Sequence, residues 1–171
     1  MFLNFIKKFL IKRKLKNSLS VSGNDFSRHK IKTIGIVVDE TYFSEKETLV
    51  NKIIAQGIQA EDVKLLLYHD KNKKRDTNFP SFSFKNVNWS GEINNKEAKD
   101  FKKLNFDLLI SYYDVEKVPL LLVTQKSKAK FKVGFSNIDK RINHLMIDTT
   151  AENTTLFVDE LFKYLKILNK I

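Results

Sequence analysis

Four aspartates close four apolar runs: Asp39 after 31–38, Asp70 after 63–69, Asp114 after 106–113 and Asp148 after 144–147. Tyr42, His69, Tyr112 and Tyr113 stand beside them. Carboxylates gathered at one rim can bind a divalent cation through hard oxygens, hydrogen-bond sugar or ribose hydroxyls, serve as a general base, or pair with lysines. An aspartate after a strand can also simply start a turn or cap a helix. Asp70 and Asp148 read that way, because turn or capping residues follow each at once. Asp114 does not. If it capped the next helix, Pro119 would be the fifth helical residue, where it removes a backbone bond and costs roughly 3 kcal/mol. A helix beginning at 117–119 tolerates that proline and leaves Asp114, Val115 and Glu116 in a short loop at the strand tip.

The first candidate site is therefore Asp39, Glu40 and Tyr42 with Tyr113, Asp114 and Glu116. The second is Gly134-Phe-Ser-Asn-Ile-Asp-Lys-Arg141. It leaves a strand near the same rim and offers Ser136, Lys140 and Arg141. A guanidinium suits bidentate binding of carboxylate or phosphate. The plainer reading of this segment is a solvated loop.

Several chemistries are excluded. All five glycines are isolated, so there is no Walker loop and no G-x-G-x-x-G turn. The first strand runs into Asp-Glu-Thr-Tyr-Phe43 rather than a glycine-rich turn. His29, His69 and His144 lack metal-ligand spacing, and no G-x-S-x-G elbow occurs. With no cysteine there is no disulfide and no thiol nucleophile. No cofactor and no metal centre are indicated.

The elements that must position these residues follow from hydrophobic periodicity. Strands are expected over 31–38, 63–69, 106–113, 131–135 and 144–148, most of them apolar throughout. Helices are expected between them, with capping boxes at Ser44-Glu-Lys-Glu47 and Thr149-Thr-Ala-Glu152 and a cap at 94–97. The alternating segment 82–89 reads as an edge strand, since Pro80 fits only an edge or a turn. Strands alternating with helices imply a three-layer, doubly wound α/β domain with a mostly parallel sheet, Rossmann-like, of order 3-2-1-4-5-6. The expected organisation is a basic helix over 1–17, a polar linker over 18–30 and one domain over 31–171.

The net charge is +11, of which +6 lies in the first 20 residues with no acid among them. The body is only mildly basic, which argues against nucleic acid as a partner of the domain as a whole. On a helical wheel Phe2, Leu3, Phe5, Ile6, Phe9 and Leu10 share one side, with Lys7, Lys8 and Lys12 off it and Arg13 breaking the stripe. The segment is too short and too charged to span a bilayer and makes a poor signal peptide. It reads either as an anchor on an anionic membrane or a partner protein, or as a helix packed on its own domain.

The run Asp107-Leu-Leu-Ile-Ser-Tyr-Tyr-Asp-Val-Glu-Lys-Val-Pro-Leu-Leu-Leu-Val-Thr124 resembles a small bacterial family of unknown function. The resemblance continues through Ser127-Lys-Ala-Lys-Phe-Lys-Val-Gly-Phe135 and Asp139-Lys-Arg141, and includes Val38-Asp-Glu-Thr-Tyr42 and the basic N-terminus. It implies no activity. Asp107–Ile110 and Lys132–Phe135 are more loosely similar to the first domain of heptosyltransferase-type glycosyltransferases, which implies a fold and an acceptor-type pocket.

Three function classes follow. One is a non-catalytic, cytoplasmic domain binding a small polar or anionic ligand at the rim, peripheral to the inner membrane through its N-terminal helix. Another is a transferase or hydrolase for a phosphorylated or glycosyl substrate, with Asp39 or Asp114 as base. The last is a protein- or RNA-binding accessory factor. The oligomeric state is not specified.

Overall fold

A computed structural model describes residues 2–19, 29–70 and 78–171. Most of the expected linker, the basic segment 71–75 and the side chain of Phe2 lie outside the described residues.

Six parallel strands form one sheet: β1 (Ile34–Asp39), β2 (Val63–Tyr68), β3 (Ser81–Phe82), β4 (Leu108–Tyr112), β5 (Phe131–Phe135) and β6 (Leu145–Ile147). Their order is β3-β2-β1-β4-β5-β6. This is the doubly wound arrangement that the strand–helix alternation implies, with its switch point between β1 and β4. The central strands β1 and β4 are buried at every position, which is why they read as continuous apolar runs rather than alternating ones.

Helices cover both faces. α2 (Lys46–Ile54) and α5 (Thr154–Ile167) touch on one side, while α1 (Phe2–Ser18), α3 (Lys96–Lys103) and α4 (Val118–Lys126) form the other layer. On the α2/α5 side, Tyr112 packs edge-on to Phe135 and Phe157 and tilts against Phe43. On the other side, Gly35 admits the Phe106 ring, which a Cβ there would meet at 2.6 Å.

Local chemistry moved several boundaries. α4 has Pro119 at its second position and Lys117 as its N-cap residue, so 114–116 is a loop, as the proline requires. The Ser44 capping box does not form. The helix begins at Lys46, whose ammonium lies 2.8 Å from Glu40 Oε1 in a buried pair. The Thr149 box does not form either: Asn153 caps α5 by accepting from Leu156 N–H, and 149–153 is a turn. Asn95 caps α3 by accepting from Ala98 N–H at 2.8 Å. The expected edge strand over 82–89 shrinks to Ser81–Phe82. Ser83 N–H turns to Asn86 Oδ1, and the chain enters a short 3-10 turn.

Candidate functional site

The sheet's carboxyl ends bring the candidate residues to one rim, but into three separate groups.

The first group sits at the switch point. Asp39 ends β1, and its Oδ1 accepts Thr41 N–H at 3.0 Å. Its Oδ2 lies 2.7 Å from Lys117 Nζ. The same ammonium is 3.1 Å from Asp70 Oδ2. It also lies 4.4 Å from the Tyr42 ring centre and 5.2 Å from that of Tyr68. Tyr68 in turn donates to Asp70 Oδ1 at 2.7 Å. Burial and the neighbouring Asp70 carboxylate push the Tyr68 phenol well above its ordinary pKa. Burial acts to raise Asp70, but the bonds from Tyr68 and Lys117 outweigh it and hold the carboxyl below its usual range. Lys117 and Asp39 are nearly buried, and desolvated charges of this kind persist only when paired. Glu40, beside Asp39, is engaged with Lys46 and does not join this group.

Asp114 belongs to the second group. Its Oδ2 accepts Ala151 N–H at 2.9 Å, and its carbonyl accepts from Asn137 Nδ2. Tyr112 reaches the same turn, donating to Ala151 O at 2.7 Å. Asp114 thus ties the exit of β4 to the turn before α5. Tyr113 points under α4, where its hydroxyl lies 2.8 Å from Thr124 Oγ1, itself 3.1 Å from Ser111 Oγ. Burial pushes the Tyr113 phenol up to about 12.

The third group fastens α1. Glu116 Oε2 lies 2.8 Å from Lys12 Nζ and 3.2 Å from Lys16 Nζ, while Oε1 accepts Asp139 N–H. Arg141 forks onto Asp139 through Nε and Nη2, at 2.9 and 2.7 Å. Its Nη1 donates to the Lys16 carbonyl in the last turn of α1. That bonding holds the Asp139 carboxyl down at about 2. The guanidinium that could have gripped an anion instead clamps a helix. Ser136 donates to Asp148 on the surface, and Lys140 is exposed.

α1 docks through Ile11 and Leu15, four residues apart and both in the core. Lys7 donates to the Val87 carbonyl, and Lys7 and Lys8 each lie 5.0 Å from the Phe84 ring centre. The docking face is therefore not the aromatic stripe. Leu3, Phe5, Phe9 and Leu10 remain 67%, 69%, 57% and 49% exposed. Ile6 is half-buried, Arg13 exposed.

Between this helix and the strand ends lies a cleft of about 310 Å³. α1 contributes Phe5, Lys8, Phe9 and Lys12 as its roof. Tyr68, Asp70 and Lys117 line it from the switch-point group, and Glu116, Val118 and Pro119 from the entry of α4. The cleft thus joins part of the rim candidates to part of the helix candidates. Sequence reasoning missed Lys117, although Pro119 already placed it at a helix start beside the switch point. It also read Asp70 as a turn residue. Among the described residues, no three histidine or carboxylate side chains converge as a metal site requires.

No described helix is long and apolar enough to cross a membrane. No curated protein and no solved structure matches the chain. One family profile does, over residues 5–168, which include most of α1 and the whole sheet. The chain belongs to the family of unknown function DUF6913.

Proposed function

We propose that this is a non-catalytic binding domain for a small polar or anionic ligand, seated in the cleft between α1 and the carboxyl ends of β1, β2 and β4. The observation that carries this reading is the cleft's composition. Three ammonium groups, two carboxylates and a phenol converge on a space of small-molecule size, beside the switch point where open α/β sheets take ligands. Lys117 and Lys12 are held by carboxylates, and Lys8 rests against an aromatic ring. A ligand would meet fixed donors and acceptors together, with Phe5, Phe9 and Pro119 against its apolar part.

The exposed face of α1 supports a second element of the proposal. Leu3, Phe5, Phe9 and Leu10 project beside a run of cations with no acid. That combination suits the headgroup layer of an anionic membrane. The domain would then lie at the cytoplasmic side of the inner membrane with its cleft facing the bilayer surface.

A thermal-shift screen of nucleotides, sugar phosphates and phosphorylated headgroups tests the cleft. Lys8→Glu, a surface change, should abolish the shift given by any hit. A hit whose shift survives both Lys8→Glu and Lys117→Met lies elsewhere and refutes the reading. Flotation with phosphatidylglycerol vesicles tests the second element: Phe5→Ser with Phe9→Ser should leave the protein at the bottom of the gradient.

A further inference from the structure

Trp89 is the chain's one tryptophan, and it is 57% exposed. It stands on a braced turn. Val87 and Ile93 pair as an antiparallel bridge, and both are buried. Between them Asn88 Oδ1 accepts from Ser90 N–H, Ser90 Oγ and Glu92 N–H, at 3.0, 2.7 and 2.8 Å. Gly91 supplies the positive φ of 83° that the turn needs. The frame that presents the indole is thus built from buried residues and side-chain bonds.

One exposed apolar side chain is ordinary on a protein surface. The surroundings of this one are not. α1 lies alongside: Lys7 donates to the Val87 carbonyl, and its ammonium is 5.9 Å from the Trp89 ring centre. Leu3, Lys7 and Leu10 follow at spacings of four and three residues, so they share one flank of α1. The exposed Leu3 and Leu10 therefore lie on the flank that meets the turn. The charge around it is mostly positive. Glu92 is the one acid of the turn, and it lies 2.7 Å from Lys126 Nζ. Lys126 holds the Glu92 carboxyl below its usual range, and Lys102 and Lys99 add to that pull. Lys85 is exposed just before the turn, and the first 20 residues hold no acid.

We propose that the turn 88–92 is a second contact with an anionic bilayer: Trp89 enters the headgroup layer beside Leu3 and Leu10 of α1. This rests on the membrane reading of α1 and adds to it a point on the domain itself. An indole has an apolar body and an N–H, which suits the boundary between acyl chains and headgroups. The lysines around it attract anionic lipid. A second copy of this chain fits less well, because two bodies of net charge +11 repel. Two contacts also fix the roll of the domain about the axis of α1, which the helix alone leaves free. The cleft lined by Phe5 and Phe9 is then held at one angle to the membrane.

The test uses the full chain, whose single tryptophan reports on this site without labelling. On phosphatidylglycerol vesicles its emission should move to shorter wavelength, and bromine on the acyl chains should quench it. Trp89→Ser should weaken partition onto these vesicles about tenfold, and Trp89→Phe should recover part of the loss. Residue 89 is exposed, so neither change threatens the fold. A protein that floats with the vesicles while its emission stays unchanged, or a Trp89→Ser variant that partitions like the parent, overturns the role of Trp89 and leaves α1 as the anchor. A protein that does not float overturns the reading of α1 and this proposal with it. An emission shift that grows with protein concentration in the absence of vesicles assigns Trp89 to a contact between copies and also overturns it.

Discussion

Lys117 Nζ lies 2.7 Å from Asp39 Oδ2, joining the end of β1 to the start of α4 across the switch point. Both side chains are nearly withdrawn from water. Removing one partner strands the other's charge, which costs more than the pair itself contributes. Lys117→Met is expected to lower stability by about 3 kcal/mol, read as a lower urea midpoint at unchanged slope. Adding Asp39→Asn should recover part of that loss. A double variant as unstable as the sum of the two singles would show that the residues are not coupled.

Glu116 meets both Lys12 and Lys16, and its loss should loosen α1 without disturbing the sheet. The lysines are over a third exposed, so the effect is modest, about 1 kcal/mol for Glu116→Gln. Amide exchange in α1 should quicken about fivefold while β1 and β4 stay protected. Equal acceleration in α1 and β4 would mean that the helix does not open independently.

The acid limb of stability should reflect Asp107 and Asp139. Burial works to raise Asp107. The bond from Lys130 and three from Lys32 and Thr33 outweigh it and bring the carboxyl down to about 2. Asp139 is held at about 2 by Arg141. Carboxyls depressed in the folded state stabilise fully above their unfolded pKa of about 4, and that contribution is lost as pH falls from there towards 2. After solvent screening each is worth on the order of 1 kcal/mol. Asp107→Asn should flatten the fall in melting temperature between about pH 4 and pH 2. An unchanged slope would rule out this assignment.

Gly35 is a packing requirement. A Cβ would press the Phe106 ring at 2.6 Å and the Phe101 ring at 3.0 Å. Gly35→Ala is expected to cost about 2 kcal/mol through overpacking. Combining it with Phe106→Leu should cost less than the sum of the two changes, measured by chemical denaturation.

Much of the architecture was legible because the signals were local. Continuous apolar runs at 34–38, 65–67 and 108–112 mark strands buried on both faces, and the helices between them require a parallel sheet. Pro119 dated the start of α4 to within two residues. The edge strand was overestimated because alternation over 82–89 looks the same whether the chain runs straight or turns. The Ser83–Asn86 contacts that bend it are visible only in three dimensions.

The candidate site was less legible. Strand-end aspartates can be found from periodicity, but their partners come from far along the chain. Asp39 pairs with Lys117, Asp114 with Ala151, and Lys16 with both Glu116 and Arg141. Of the basic helix, periodicity identified an apolar stripe, whereas the domain buries Ile11 and Leu15 and leaves Leu3, Phe5, Phe9 and Leu10 of that stripe exposed.

By itself the sequence determined the layers, the strand order and the rim where the polar residues collect, because burial and chain connectivity are written in short-range patterns. Only the tertiary structure decided how that rim divides. Desolvation favours pairing a buried charge such as Asp39 with whichever opposite charge the crossovers bring within about 3 Å, and nothing in local sequence records that meeting. It made Arg141 a clamp, Asp114 a tie to the turn before α5, and Lys117 a bridge between Asp39 and Asp70 on the wall of the cleft.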